Sequence, residues 1–191
     1  MARYLGIDLD PTQLDRLGVF AKWLVEEAIP AGGLGPVEID RIERRHIADS
    51  LLFAAEIPSS TELVWDLGSG VGLPGIPLAI ILPETKFLLI DRSGRRIDLI
   101  RRAVRILDLR NCQITQGEIE GLRGVTPVIV SRASLPPTAL ARVAVEHLQP
   151  DGVVIAGGSW VAPPHHAGWE TKEIPGEVLD QPVWLLIMRR A

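Results

Sequence analysis

The stretch VWDLGSGVGLPGIPLAI, residues 64–80, places Asp66 just ahead of Gly68, Gly70 and Gly72, then adds Gly75 and two prolines to an otherwise apolar run. Glycines at this spacing let a backbone adopt positive φ and approach a nucleotide closely, while Pro74 and Pro77 fall near a helix start, where missing amides do little harm. Gly70 to Gly75 also satisfies the dinucleotide fingerprint G-x-G-x-x-G, a pattern of low specificity on its own. A second carboxylate, Asp91, ends the next apolar run and suits ribose hydroxyls, which NAD and S-adenosylmethionine both present. Asp66 favours the latter. A dinucleotide directs its pyrophosphate at these amides, where a neighbouring carboxylate repels it, whereas the methionine end of adenosylmethionine carries a sulfonium and an ammonium.

Such a loop needs a strand before it and a helix after it. Residues 10–28 open with Asp10 as N-cap and Pro11 at the first helical position. Leu14, Leu17, Phe20, Ala21, Leu24, Val25 and Ala28 then follow at helical spacing. After the break IPAGGLGP comes a second helical stretch, VEIDRIERRHIADSLLFAAEI, so residues 1–60 read as a helical cap. Beyond it the short apolar runs ELVWDLG, KFLLID, CQIT, PVIV and GVVIAG alternate with helices predicted at 75–82, 94–109 and 137–149. Continuous apolar strands alternating with helices indicate a parallel sheet covered on both faces. The last strand, VWLLIMRR, follows its predecessor too closely for a helical crossover and is expected to pair antiparallel with a strand near 170–175, forming an antiparallel edge. The expectation is a doubly wound α/β fold in a single domain over 1–191, with 61–191 as its core.

Of the 191 residues, 47% are hydrophobic and 23% charged, which suits a globular domain with an ample core. The opening MARYLGIDLDPTQLDR lacks a basic region followed by an apolar one, and no apolar run reaches membrane-spanning length, so a cytoplasmic location without membrane partners is expected. The single cysteine, Cys112, excludes an internal disulfide and reads as a small core residue. The formal net charge of −4 argues against a uniformly basic nucleic-acid binder, yet residues 86–110 hold 8 basic and 3 acidic side chains.

HIADSLLF, DLGSGVGLPGIPLAI, DRSGRRIDLIR and VIVSRA, in that order and at these separations, resemble glucose-inhibited division protein B, the ribosomal RNA small subunit methyltransferase G family, from about residue 34 to 150. GLGPVEIDRIERRHIADS is most similar to that family's high-GC Gram-positive branch. The resemblance implies a Rossmann-like class I methyltransferase with an N-terminal helical cap. Such an enzyme moves a methyl group from S-adenosylmethionine to N7 of a guanine in 16S ribosomal RNA, with the RNA or the small subunit as partner; a monomer is expected. Carried over, Asp66 to Gly75, including Ser69 and Leu73, would hold the methionine end, Asp91 and Arg92 the ribose side, and Ile119 with Glu120 the adenine edge. Arg132 would sit by the cofactor carboxylate or the target base, and His46 would face the same cavity. Arg92, Arg95 and Arg96 on the rim, with Arg44 and Arg45 from the cap, would grip RNA phosphates. Guanine N7 carries a lone pair and no proton, so the transfer needs positioning rather than a general base.

Three departures touch function. Family members usually carry a basic residue where this chain has Glu118, and a Lys where it has Gly157. The stretch 158–169, within GSWVAPPHHAGW, is too short and Pro-rich for the helix normally found there and is expected to be a solvent-exposed loop. His165 and His166 in it have no evident third ligand, so no metal site is expected. Two alternatives stay open on the residues: a methyltransferase-like paralogue that binds cofactor or RNA with little turnover, or uses another substrate, and an NAD-dependent oxidoreductase resting on the glycine fingerprint.

Overall fold

The computed structural model describes residues 2–179 and 181–190. Seven strands form one sheet: β1 Leu63–Leu67, β2 Lys86–Asp91, β3 Cys112–Gln116, β4 Thr126–Arg132, β5 Leu148–Ser159, β6 Glu170–Ile174 and β7 Val183–Arg189, in spatial order β3-β2-β1-β4-β5-β7-β6. The pairs among β1 to β5 are parallel; β7 is antiparallel to both β5 and β6. The C-terminal strand thus has the expected direction and the expected partner at 170–174, but it is not the edge. Its side chains are mostly buried, and it fills the slot between β5 and β6. ETKEI of β6 is polar and mostly exposed and takes the edge instead. A buried apolar strand gains from neighbours on both sides, whereas a polar one tolerates solvent.

Helix α1 covers Ala2–Leu5 and α2 Pro11–Trp23. Helix α2 starts at a capping box, in which the Asp10 carboxylate accepts the Gln13 amide and the Gln13 side chain accepts the Asp10 amide. Leu17, Phe20, Ala21, Leu24 and Ala28 are buried as the periodicity requires, while Leu14, placed on the same face by spacing, is exposed. The second cap segment is irregular: a 3-10 stretch Pro36–Arg41, a π-helical stretch Ile42–Ile47, α3 Ala48–Leu52 and a final 3-10 turn Phe53–Glu56. The crossovers are α4 Gly75–Ile81, α5 Gly94–Ile106 and α6 Pro137–His147, and α7 Gly176–Leu179 precedes β7. No helix among the described residues is long and apolar enough to cross a membrane.

Two apolar layers sandwich the sheet. One joins cap and sheet in a continuous cluster that includes Phe20, Leu24 and Phe53 from the cap, Ile76 and Ile80 from α4, and Ile97 and Ile100 from α5. The other packs α6 through Leu140 and Ala144 against Trp65, Ile129 and Val154. Trp169 belongs to this second layer at 8% exposure, which corrects the expectation that the whole 158–169 stretch is solvent-exposed: the large apolar indole gains by packing against the layer. Cys112 is half-buried at the β3 edge of the first layer.

Candidate functional site

In a sheet of this order the chain leaves β1 to one side and β4 to the other, so a crevice opens beyond their carboxyl ends. Strand β1 ends at Asp66 and Leu67, β2 at Asp91 and β4 at Arg132, all on that edge. A cavity of about 340 Å³ lies there, its wall formed by Gly68, Ser69, Gly70 and Leu73 of the glycine loop, Arg132 and Ser134 after β4, and His46 and Asp49 of the cap. A second, of about 320 Å³, continues past Asp91, Arg92, Glu118 and Ile119, and the two meet at Gly68, Ala133 and Ser134. Together they are the size of a small-molecule site.

The glycine loop is held from behind. The Gly70 amide donates to Asp91 Oδ2 at 3.0 Å, and the Ser93 amide to Asp91 Oδ1 at 2.9 Å. Gly68 has φ +73°, and a Cβ there would stand 2.5 Å from Ser134 Oγ, so only glycine allows this approach. Ser131 and Ser134 both donate to the Leu67 carbonyl, tying the β4 exit to the β1 exit.

Asp66 stands one layer behind the cavity wall, fully buried. Its Oδ2 accepts the Gly75 amide at 3.0 Å, while Oδ1 is buried without a hydrogen-bond partner among the described residues. Burial pushes its carboxyl up to about 7, against lowering by Ser69, the Gly75 amide and Arg132. Asp66 therefore braces the glycine loop through the Gly75 amide and lies outside the lining of both cavities. Gly72 and Gly75 likewise serve the turn from behind. Glu120 is exposed and lies outside the second cavity's lining, which Ile119 joins.

Opposite the acidic floor stands a chain of charges from the cap. Arg132 Nη2 donates to His46 Nδ1 at 3.1 Å, and His46 Nε2 lies 2.9 Å from Glu38 Oε2. Desolvation and the Arg132 charge lower the His46 pKa. Asp49, also buried, lies 3.3 Å from Arg45 and is raised to about 6 by desolvation. Arg45 is only 7% exposed, and its guanidinium sits 4.0 Å from the centre of the Trp160 ring. This corrects its placement among surface phosphate contacts: it lines the cavity from inside, because Asp49 one helical turn on compensates its charge. Arg95 is exposed, but its guanidinium donates to the Ala31 carbonyl and so pins the cap loop. Arg96 lies 3.6 Å from Asp91, and Arg44 is exposed beside a further recess that shares Arg45 and Trp160 with the first cavity. Gly157 is filled around: a Cβ there would fall 2.5 Å from Leu185 and 2.7 Å from Phe53, so no side chain fits where a lysine was expected.

Sequence reasoning missed Asp49, Trp160, Ser131 and Ser134. The i, i+4 spacing of Arg45 and Asp49 marks the ion pair, and a tryptophan directly after GGS marks an aromatic at a strand exit. The serines left no comparable signal.

The family model for rRNA small subunit methyltransferase G matches residues 13–160. The chain belongs to that family. It is 34% identical over 93% of its length to ribosomal RNA small subunit methyltransferase G of Chlorobium luteolum, of which it covers 78%. It is 36% identical over 72% of its length to the protein of that name in Acidothermus cellulolyticus, of which it covers 61%. Among solved structures, precorrin-6y C5,15-methyltransferase of Geobacter metallireducens shares the fold with a TM-score of 0.56 at 13% identity, covering 72% of this chain and 85% of that one. The doubly wound, Rossmann-like methyltransferase fold expected from the sequence is thus the one this chain adopts.

Proposed function

We propose that this protein is an S-adenosylmethionine-dependent methyltransferase acting on a guanine N7 of 16S ribosomal RNA, as a single-domain monomer in the cytoplasm. The observation that carries the reading is the glycine-walled crevice at the β1/β4 divergence, with Asp66 and Asp91 behind its floor and Arg132 across from them. A ligand with a cationic centre and a carboxylate at one end and ribose hydroxyls at the other fits that division. Asp66, directly behind the glycine loop, would offset positive charge on such a ligand once its carboxyl is ionised. A dinucleotide would set its pyrophosphate against the same carboxylates, so the oxidoreductase reading is not favoured.

When bound, the cofactor supplies an electrophilic methyl on a sulfonium. The glycine loop, with Gly68 and Gly70 on the cavity wall, would leave room for the methionine end, Asp91 would face the ribose hydroxyls, Asp66 would offset positive charge from behind the wall, and Arg132 would lie toward the carboxylate. The cofactor would supply the methyl group and its sulfur would retain the S–C electron pair, while the in-plane N7 lone pair of the base would form the new N–C bond and the base would take up the positive charge. No proton moves, so the residues need to align reactants and exclude water rather than act as acid or base. His46 and Arg132 accordingly serve as orienting groups.

The test is transfer of labelled methyl groups from S-adenosylmethionine to small ribosomal subunits, followed by borohydride and aniline cleavage, which cuts RNA at N7-methylguanine. Label in the RNA that does not map to such a cleavage site would refute the N7 assignment, and calorimetric titration with the cofactor checks the crevice separately.

A further inference from the structure

Three features converge at the exit of β5. Gly157 admits no side chain, so the strand end itself projects no cation into the crevice. Gly158, at φ +96°, then turns the chain. The Arg132 stem lies against it, with Cγ 3.0 Å from where a Cβ would be. Two residues on, Trp160 stands on the cavity wall, 40% exposed, whereas Trp23, Trp65 and Trp169 are buried. Its indole is supported by the Arg45 guanidinium, held in turn by the buried Asp49 carboxylate 3.3 Å away. Arg41 approaches the same ring at 5.5 Å. An exposed aromatic on a crevice wall with a fixed cation against it is a rigid, flat, apolar surface in otherwise polar surroundings. The ordering needed to use it has largely been met in the folded state.

We propose that Trp160 is the stacking platform for the acceptor base, an inference that rests on the methyltransferase reading above. Stacking grips a purine by its faces and leaves every edge free, which in-line attack through an in-plane N7 lone pair demands. Hydrogen bonding along the reacting edge would instead occupy the lone pair. Arg45 and Asp49 act through Trp160 as positioning residues: they fix the ring plane, and so the base plane, relative to Arg132 and His46 on the same cavity. The platform takes over acceptor contact that a side chain at position 157 cannot make in this chain.

The test compares full-length wild type with Trp160→Ala and Trp160→Phe, measuring methyl transfer against subunit concentration and, separately, calorimetric S-adenosylmethionine binding. Trp160→Ala is expected to raise KM for small subunits at least tenfold, with kcat and cofactor affinity within twofold. Trp160→Phe, which keeps a stacking face, stays within threefold of wild type in KM. An alanine variant with unchanged KM overturns the platform while leaving the methyltransferase reading intact. Cofactor affinity falling in step with activity overturns it too, by placing Trp160 in the donor site. A wild-type protein that binds cofactor but transfers nothing to subunits removes the parent reading and the platform with it. If the alanine variant does not fold, a phenylalanine variant whose KM equals that of Trp160→Leu decides against stacking.

Discussion

Arg132 donates through Nη2 to His46 Nδ1 across 3.1 Å, joining the end of β4 to the cap. Since a guanidinium can only donate, Nδ1 must accept, and the imidazole proton resides on Nε2, where it donates to Glu38. The neutral tautomer is therefore imposed from both sides, in keeping with the lowered pKa. A histidine whose folded pKa lies below its unfolded value contributes stability that is complete above about 6.5 and lost as pH falls through the folded pKa. Long-range ¹H–¹⁵N NMR is expected to show the Nε2–H tautomer at neutral pH and a midpoint below 6.5. Arg132→Met should move that midpoint upward, and a wild-type midpoint above 6.5 would contradict the arrangement.

Asp66 gives the opposite pH dependence. Its carboxyl is raised from 3.8 to about 7, so between these values the folded protein keeps a proton that the unfolded chain has released. Stability from this group is complete below about 4 and declines by about 1.4 kcal/mol per pH unit until the folded carboxyl ionises near 7. Asp49, raised to about 6, adds the same sign over a narrower range. Denaturant unfolding of Asp66→Asn should show a shallower decline, because Asn can still accept the Gly75 amide but does not titrate. The same variant should lose about tenfold in S-adenosylmethionine affinity at pH 7.5. In the wild type that affinity should rise with pH up to about 7 and level off above. Equal affinity in the two proteins would remove Asp66 from the donor site.

The loop glycines separate stability from binding. A Cβ on Gly75 would lie 2.3 Å from Leu89 Cδ2 and 2.5 Å from Asp66 Oδ2, so Gly75→Ala must displace a core residue or the carboxylate. A cost of about 3 kcal/mol is expected, seen as a melting temperature lowered by about 10 °C. At Gly70, on the cavity wall at φ +61°, the nearest atom to a Cβ is 3.9 Å away, so the added methyl meets only backbone strain. Gly70→Ala should cost about 1 kcal/mol yet weaken cofactor binding at least tenfold, because the methyl occupies space at the crevice. Comparable melting temperatures for the two variants would refute the distinction.

What could be read from the sequence was local. The Asp66–glycine–proline order specifies a strand, a turn and a helix within a dozen residues, and the capping box at Asp10 and the apolar face of α5 are likewise contained in short segments. The interior position of β7, the buried Arg45 and the packing around Gly157 all depend on partners outside their own segments: β5 as well as the neighbouring β6 for the strand, Trp160 for the guanidinium, Phe53 and Leu185 for the glycine. A run of arginines looks alike whether its members face solvent or a tryptophan. Asp66 was legible as acidic and near the loop, but its burial behind the wall depends on the turn that brings the Gly75 amide to its carboxylate.

The basic segment can be resolved arginine by arginine. Arg92 is exposed and lines the crevice mouth; Arg95 is engaged with the Ala31 carbonyl; Arg101 lies 3.2 Å from Asp98 and Arg102 3.0 Å from Glu27. Each phosphate contact releases counterions, so removing one lowers the salt dependence of RNA binding by about one unit of log–log slope. Arg92→Ala should therefore reduce the slope for small-subunit RNA by about one, and Arg101→Ala should leave it unchanged. Arg95→Ala should act differently, loosening the cap and lowering the melting temperature by a few degrees through the lost charged hydrogen bond, worth about 1.5 kcal/mol. Filter binding at several salt concentrations distinguishes these outcomes. If Arg92→Ala and Arg101→Ala change the slope equally, the segment attracts RNA only through its summed charge, and the crevice mouth has no special claim on a phosphate.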